Sequence, residues 1–116
     1  MGNPVTHFEL MGPNGDAQRD FYSNVFDWQV NEVEGFGGYY LVQTGDGQLG
    51  GAVGQGSEEM PNYVTIYVSV DEIDAKLEEI ENAGGQTVLP RTEIPDMVTY
   101  ALFKDPAGNL VGLVEG

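Results

Sequence analysis

Histidine occurs once in the 116-residue chain, at His7 in the stretch Val5-Thr6-His7-Phe8-Glu9-Leu10, and the carboxylate of Glu9 follows two positions later. Imidazole and carboxylate are common ligands of divalent transition metals and common groups for proton transfer near neutral pH. Two residues apart on an extended chain, they project from the same face. The pair therefore admits three readings: metal ligands, polar or weakly basic groups lining a binding cleft, and a strand histidine satisfied by a neighbour. Cysteine is absent, so the chain has no disulfide, thiolate nucleophile or thiolate metal ligand.

Charge narrows the range of partners. Four basic residues, Arg19, Lys76, Arg91 and Lys104, stand against 19 acidic ones, a formal net charge of −15. Nucleic acid and anionic membrane surfaces would be repelled, with no counterion release to drive association. The carboxylates are scattered, with Glu72–Glu81 the densest stretch, which fits a halophilic surface kept hydrated in concentrated salt. Hydrophobic residues make up 41% of the chain, a globular composition. No apolar run approaches the roughly 20 residues of a membrane span, and no signal pattern opens the chain, so a cytoplasmic protein is expected.

The elements that must position His7 and Glu9 follow from periodicity. Period-2 alternation predicts strands over 4–11, 28–34, 38–44, 48–54, 62–70, 86–93, 97–104 and 109–115. Helical spacing of Ala17, Phe21, Tyr22, Val25 and Phe26 predicts a helix over 16–27, started by Asn14, Gly15 and Asp16. A second, over 71–83, carries Ile73, Leu77 and Ile80, with Asp71 as cap and Gly84-Gly85 as stop. The order is strand, helix, three strands, then the same again. Sliding the halves brings His7-Phe8-Glu9-Leu10 onto Thr65-Ile66-Tyr67-Val68. One α+β domain over 1–116 is expected, with module one at 4–54, a linker at 55–61 and module two at 62–116.

The opening THFEL followed by GDAQRDFYSNVFDW, the second-half start YVSVDEIDAKLEEIENAGGQTV and the ending FKDPAGNLVGLVE together resemble the vicinal oxygen chelate superfamily. This is the group of glyoxalase, bleomycin resistance protein and extradiol dioxygenase. The resemblance implies two tandem βαβββ modules forming a curved, partly closed mixed sheet around a cleft, one helix outside each module. That fold serves lyases, dioxygenases, epimerases, thiol transferases and drug-sequestering proteins, so it does not fix an activity. The Asp105-Pro106-Ala107-Gly108-Asn109 stretch is also a good turn sequence and is read as one, without a catalytic role.

Metal-dependent members of the superfamily take one divalent ion through four side chains, one from the first and one from the last strand of each module. The resemblance carries these onto His7, the neighbourhood of Gly51, Thr65 and Gly112, of which only His7 offers a donor. Glu9 shares its face, while Glu115 lies on the opposite face of its strand from Gly112. The expectation is no metal cofactor, with a displaced divalent site as the alternative. Module two repeats the pattern: Tyr63, Thr65, Tyr67 and Ser69 form one strand phase, and Val64, Ile66, Val68 and Val70 the other, expected to pack against the helix. Trp28, Phe36, Tyr39 and Tyr40 cluster around a glycine-rich bend and are divided between core and ligand contact. The cleft candidates are His7, Glu9, Phe36, Tyr40, Gly51, Tyr63, Thr65, Tyr67, Tyr100 and Gly112. The expected function is metal-independent binding of a small organic molecule by a homodimer; the alternative is a glyoxalase-type lyase or dioxygenase with a non-standard metal site. With so much like charge to screen, the melting temperature is expected to rise steadily from low to molar KCl in a thermal melt, and a flat or falling trend would refute the salt-adaptation reading.

Overall fold

The computed structural model describes residues 2–116. Strand β1 (Val5–Gly12) leads into helix α1 (Gly15–Phe26), followed by β2 (Gln29–Glu32), β3 (Tyr39–Gln43) and β4 (Gly51–Gln55). The sequence of element types then repeats as β5 (Tyr63–Val70), α2 (Ile73–Asn82), β6 (Gln86–Ile94), β7 (Val98–Lys104) and β8 (Leu110–Glu115). The protein is thus α+β with two βαβββ modules. Contacts divide it into two compact units, one of Thr6–Thr65 and one of Ile66–Gly116 with the residues up to Val5, so the division falls inside β5.

In each unit the last strand lies beside the first and parallel to it. β1 pairs with β4 at Glu9↔Ala52, and β5 pairs with β8 at Tyr67↔Gly112. The remaining partners are antiparallel, β4 to β3 to β2 in one unit and β8 to β7 to β6 in the other. The internal repeat is therefore visible in the strand pairing, with offsets of 67 − 9 = 58 on the first strand, 112 − 52 = 60 on the last and 102 − 41 = 61 on the strand beside it. A parallel pair requires a long crossover, which each helix and its following strands supply.

Each helix covers one sheet face. In the first unit Tyr40, Val42 and Val53 are buried together, with Phe8, Leu10, Tyr22, Trp28 and Val30 packed on them. Trp28 stacks on Tyr22 at 5.6 Å and 9°, and contacts Phe8 and Phe26 as well, so this ring belongs to the core. In the second unit Val70, Ile73, Leu77, Ala101 and Leu113 are buried, joined by Val68, Ile80 and Phe103. The helix-facing phase expected for β5 thus holds only at its C-terminal half. Val64 is 72% exposed, Ile66 is also exposed, and Thr65 and Tyr67 are buried instead. The reason is reach: the buried residues α2 contributes, Ile73 and Leu77, gather around Val70.

The helix ends differ from expectation at one point. Asn14 caps α1, accepting from the Ala17 amide at 3.1 Å. Gly84, at φ 102°, follows the end of α2; its amide bonds Glu81 and that of Gly85 bonds Ile80, a Schellman pair. Asp71, however, does not cap α2. The helix begins after Glu72, which makes no side-chain cap bond, and the Ile73 amide donates to Glu115 Oε2 at 2.9 Å. Arg91 grips the same carboxylate with two bonds, Nε to Oε2 at 3.0 Å and Nη2 to Oε1 at 3.1 Å. A carboxylate from β8 therefore replaces the local cap, supplying negative charge at the helix N-terminus.

Arg91 and the Ile73 amide hold the Glu115 carboxyl below its usual 4.5. A carboxyl whose folded pKa is depressed stabilises the fold above the unfolded value and loses that contribution as pH falls through the folded one. Glu115→Gln is expected to lower the melting temperature at pH 7 and to reduce its decline below about pH 4.5, measured by melts across an acid series; equal declines in both proteins would refute the role.

Candidate functional site

The face of β1 turned away from α1 carries His7 and Glu9, as period-2 projection requires. Its neighbour β4 presents only small side chains there, Ala52 opposite Glu9 and Gly54 opposite Tyr39 of β3. With nothing bulky on the intervening strand, the Tyr39 side chain reaches across β4 to β1. Its hydroxyl donates to Glu9 Oε2 at 2.7 Å and lies 3.1 Å from His7 Nε2. The Tyr63 hydroxyl, from the start of β5, donates to Glu9 Oε1 at 3.2 Å.

These bonds define protonation states. Glu9 is only 6% exposed and accepts a phenol proton on each oxygen. Tyr39 has one hydroxyl proton and gives it to Glu9, so its oxygen accepts from His7, which assigns the proton of the imidazole to Nε2. Burial lowers the His7 pKa below its usual 6.5, against the opposing pull of Glu9. The imidazole is therefore neutral at pH 7. The result is a hydrogen-bonded row, His7 to Tyr39 to Glu9, with Tyr63 closing the far side. It can bind a polar ligand or exchange a proton with one.

The other sequence candidates separate by face. Tyr40 is on the helix side of β3, 7% exposed, with its hydroxyl donating to Asp16 Oδ1 at 2.6 Å and Arg19 over its ring at 5.0 Å. It is a core residue, and Tyr39, omitted from the cleft candidates, takes the place expected of it. The alternation of Tyr40 with Val42 carried that signal. Gly51 also faces the helix side, packed on Phe8. Phe36 is half-buried in the turn before β3. Thr65 is 3% exposed, on the same strand phase as Tyr63. In the other unit Tyr67, Gly112 and Tyr100 share one face of β5, β8 and β7.

The donor set does not fit a superfamily-type metal. The β4 position equivalent in register to Gly112 is Ala52, fully buried and without a donor atom. A Cβ on Gly112 would overlap the Tyr67 ring, and one on Gly51 would lie 2.5 Å from the Phe8 carbonyl oxygen. Hence no ligand-bearing side chain enters at either position without rearrangement. Among the described residues no three His, Cys, Asp or Glu side chains gather as a metal-binding group. His7 and Glu9 alone fall short of the three or so protein ligands such sites use.

Because Glu9 supports the protonated form of His7, its removal has a definite sign. In an NMR titration of the single imidazole, wild type is expected to titrate below 6.5 and Glu9→Gln lower still; an upward shift in the variant would contradict the geometry.

Comparison with known proteins agrees with the repeat. The profile of the Glyoxalase/Bleomycin resistance protein/Dioxygenase superfamily matches residues 5–113. CFP32 of Mycobacterium tuberculosis, which carries a glyoxylase name, is 32% identical over 111 residues, covering 90% of this chain and 42% of its own length. The anthracycline biosynthesis protein DnrV of Streptomyces peucetius is 32% identical over 118 residues, covering 87% of this chain and 42% of its own. The chain thus spans well under half the length of these relatives. Among solved structures, the Bacillus halodurans protein BH1468 superposes with a TM-score of 0.73 at 14% identity, covering 100% of this chain and 96% of that one. A Streptomyces coelicolor methylmalonyl-CoA epimerase gives 0.66 at 19%, covering 98% and 97%. At such identities these structures speak for the fold alone. With a family profile matched over nearly its whole length, the chain belongs to the glyoxalase/bleomycin resistance protein/dioxygenase superfamily.

Proposed function

We propose that the protein binds a small organic molecule against the His7–Tyr39–Glu9–Tyr63 face without a metal. The supporting observation is that the two potential ligands of this face, His7 and Glu9, are bonded through Tyr39, while Ala52 and Gly112 fill the register positions where further donors would be needed. A face of phenols and one neutral imidazole offers hydrogen bonds and flat apolar surface together, as small-molecule sites do. The relative named for anthracycline biosynthesis is in keeping with an organic ligand. Pairing of two copies belongs to the same reading, supported by the exposed Val64 and Ile66 of β5 and Phe21, Val25 and Phe26 of α1. Cytoplasmic residence is part of it too, in keeping with a chain without cysteine.

The second reading is a metal-dependent lyase or dioxygenase with a non-standard site, favoured by the glyoxylase name of the mycobacterial relative and by the presence of His7. Metal analysis of protein purified without chelators separates the two. Far less than one equivalent of transition metal is expected, together with melting-temperature increases from organic ligands in a high-salt thermal-shift screen. Stoichiometric metal that disappears in His7→Ala would overturn the proposal.

A further inference from the structure

Resting on that binding reading, we infer that the face selects organic ammonium cations carrying an aromatic or apolar body. Three features converge on it. Glu9 brings a carboxylate, 94% withdrawn from solvent, to within bonding distance of two phenols on this face. Its charge acts through a medium far less polarisable than water, so a cation placed against the phenol oxygens interacts with it much more strongly than across bulk solvent. Tyr39 and Tyr63 are half-buried phenols, a ring type that attracts ammonium groups.

The charge around the site has the same sign. Residues 6–65 contain nine carboxylates and a single basic side chain, Arg19. That guanidinium is held on the helix side, at 2.9 Å from Asp20 and 3.5 Å from Asp16, over the Tyr40 ring. Within this unit no Lys or Arg stands on the His7–Glu9 face to balance a phosphate or carboxylate. An anionic substrate would meet a buried negative charge of its own sign; a cation would be drawn in by the whole unit's field. The acidic recess at the start of α2, about 590 Å³ and lined by Asp71, Glu72, Asp74, Glu78, Arg91 and Glu115, is built otherwise. There Arg91 and Glu115 satisfy each other and the remaining carboxylates are exposed, with no aromatic surface to hold an organic body.

A ligand series of nearly constant shape tests the inference: 2-phenylethylammonium, 2-phenylethanol and phenylacetate, titrated at matched ionic strength by NMR shifts on native protein. The ammonium is expected to bind about tenfold or more tighter than the alcohol, with the carboxylate weakest. Glu9→Gln, which removes the charge and keeps the shape, should shrink the preference for ammonium over alcohol about tenfold. Tyr39→Phe retains the charge and should retain the order, so the test survives if Glu9→Gln does not fold. Equal binding of ammonium and alcohol, or a preference indifferent to Glu9→Gln, overturns cation selectivity while small-molecule binding stands. If none of the three binds and the wider screen is also blank, the binding reading falls and the inference with it.

Discussion

The parallel pairing of first and last strands governs each module. It places β1 beside β4, and β5 beside β8, joining positions 52 − 9 = 43 and 112 − 67 = 45 residues apart in sequence. One face of that pair must then be covered by the crossover helix, and apolar side chains from both strands point there. The opposite face receives whatever the alternation leaves over. In the first module this is His7 and Glu9 on one strand and Ala52 and Gly54 on the next, so a polar pair lies beside an empty strip that Tyr39 crosses. The site is thus a by-product of how the helix face is packed.

A buried carboxylate is costly unless its lone pairs are used. Two phenols bond the Glu9 oxygens, in a unit whose only Arg is engaged with Asp16 and Asp20. Tyrosine hydroxyls can bond the oxygens of a carboxylate without carrying an opposite charge. Glu115, only partly buried, is held differently, by an arginine fork and a helix amide, as a structural anion.

Much of this was legible in the sequence. The module repeat followed from alternation and from two helical stretches, while the register of the third strand in each module differs by one residue from the simplest sliding of the halves, setting Tyr100 against Tyr39 rather than Tyr40. His7 and Glu9 on a shared face followed from period 2, and Asn14 and Gly84-Gly85 from capping chemistry. What could not be read depended on distance between strands. Tyr39 and Tyr40 are adjacent and chemically identical; only the phase of β3 relative to α1 decides which is core, and the short β2 and β3 gave a weak phase signal. Glu115 as a cap for α2 comes from 42 residues away, beyond any local motif, and so the nearer Asp71 stood in its place. Val64 and Ile66 look like helix-facing residues, yet the helix does not extend over them.

Gly112 and Tyr67 carry a consequence for how this sequence can change. The ring occupies the space a side chain at 112 would need, and the absence of that side chain is what lets the ring settle there. A carboxylate at 112 would collide with the ring, so no donor can be placed there unless the ring at 67 moves or is replaced. What position 112 can become is therefore set by the residue at position 67.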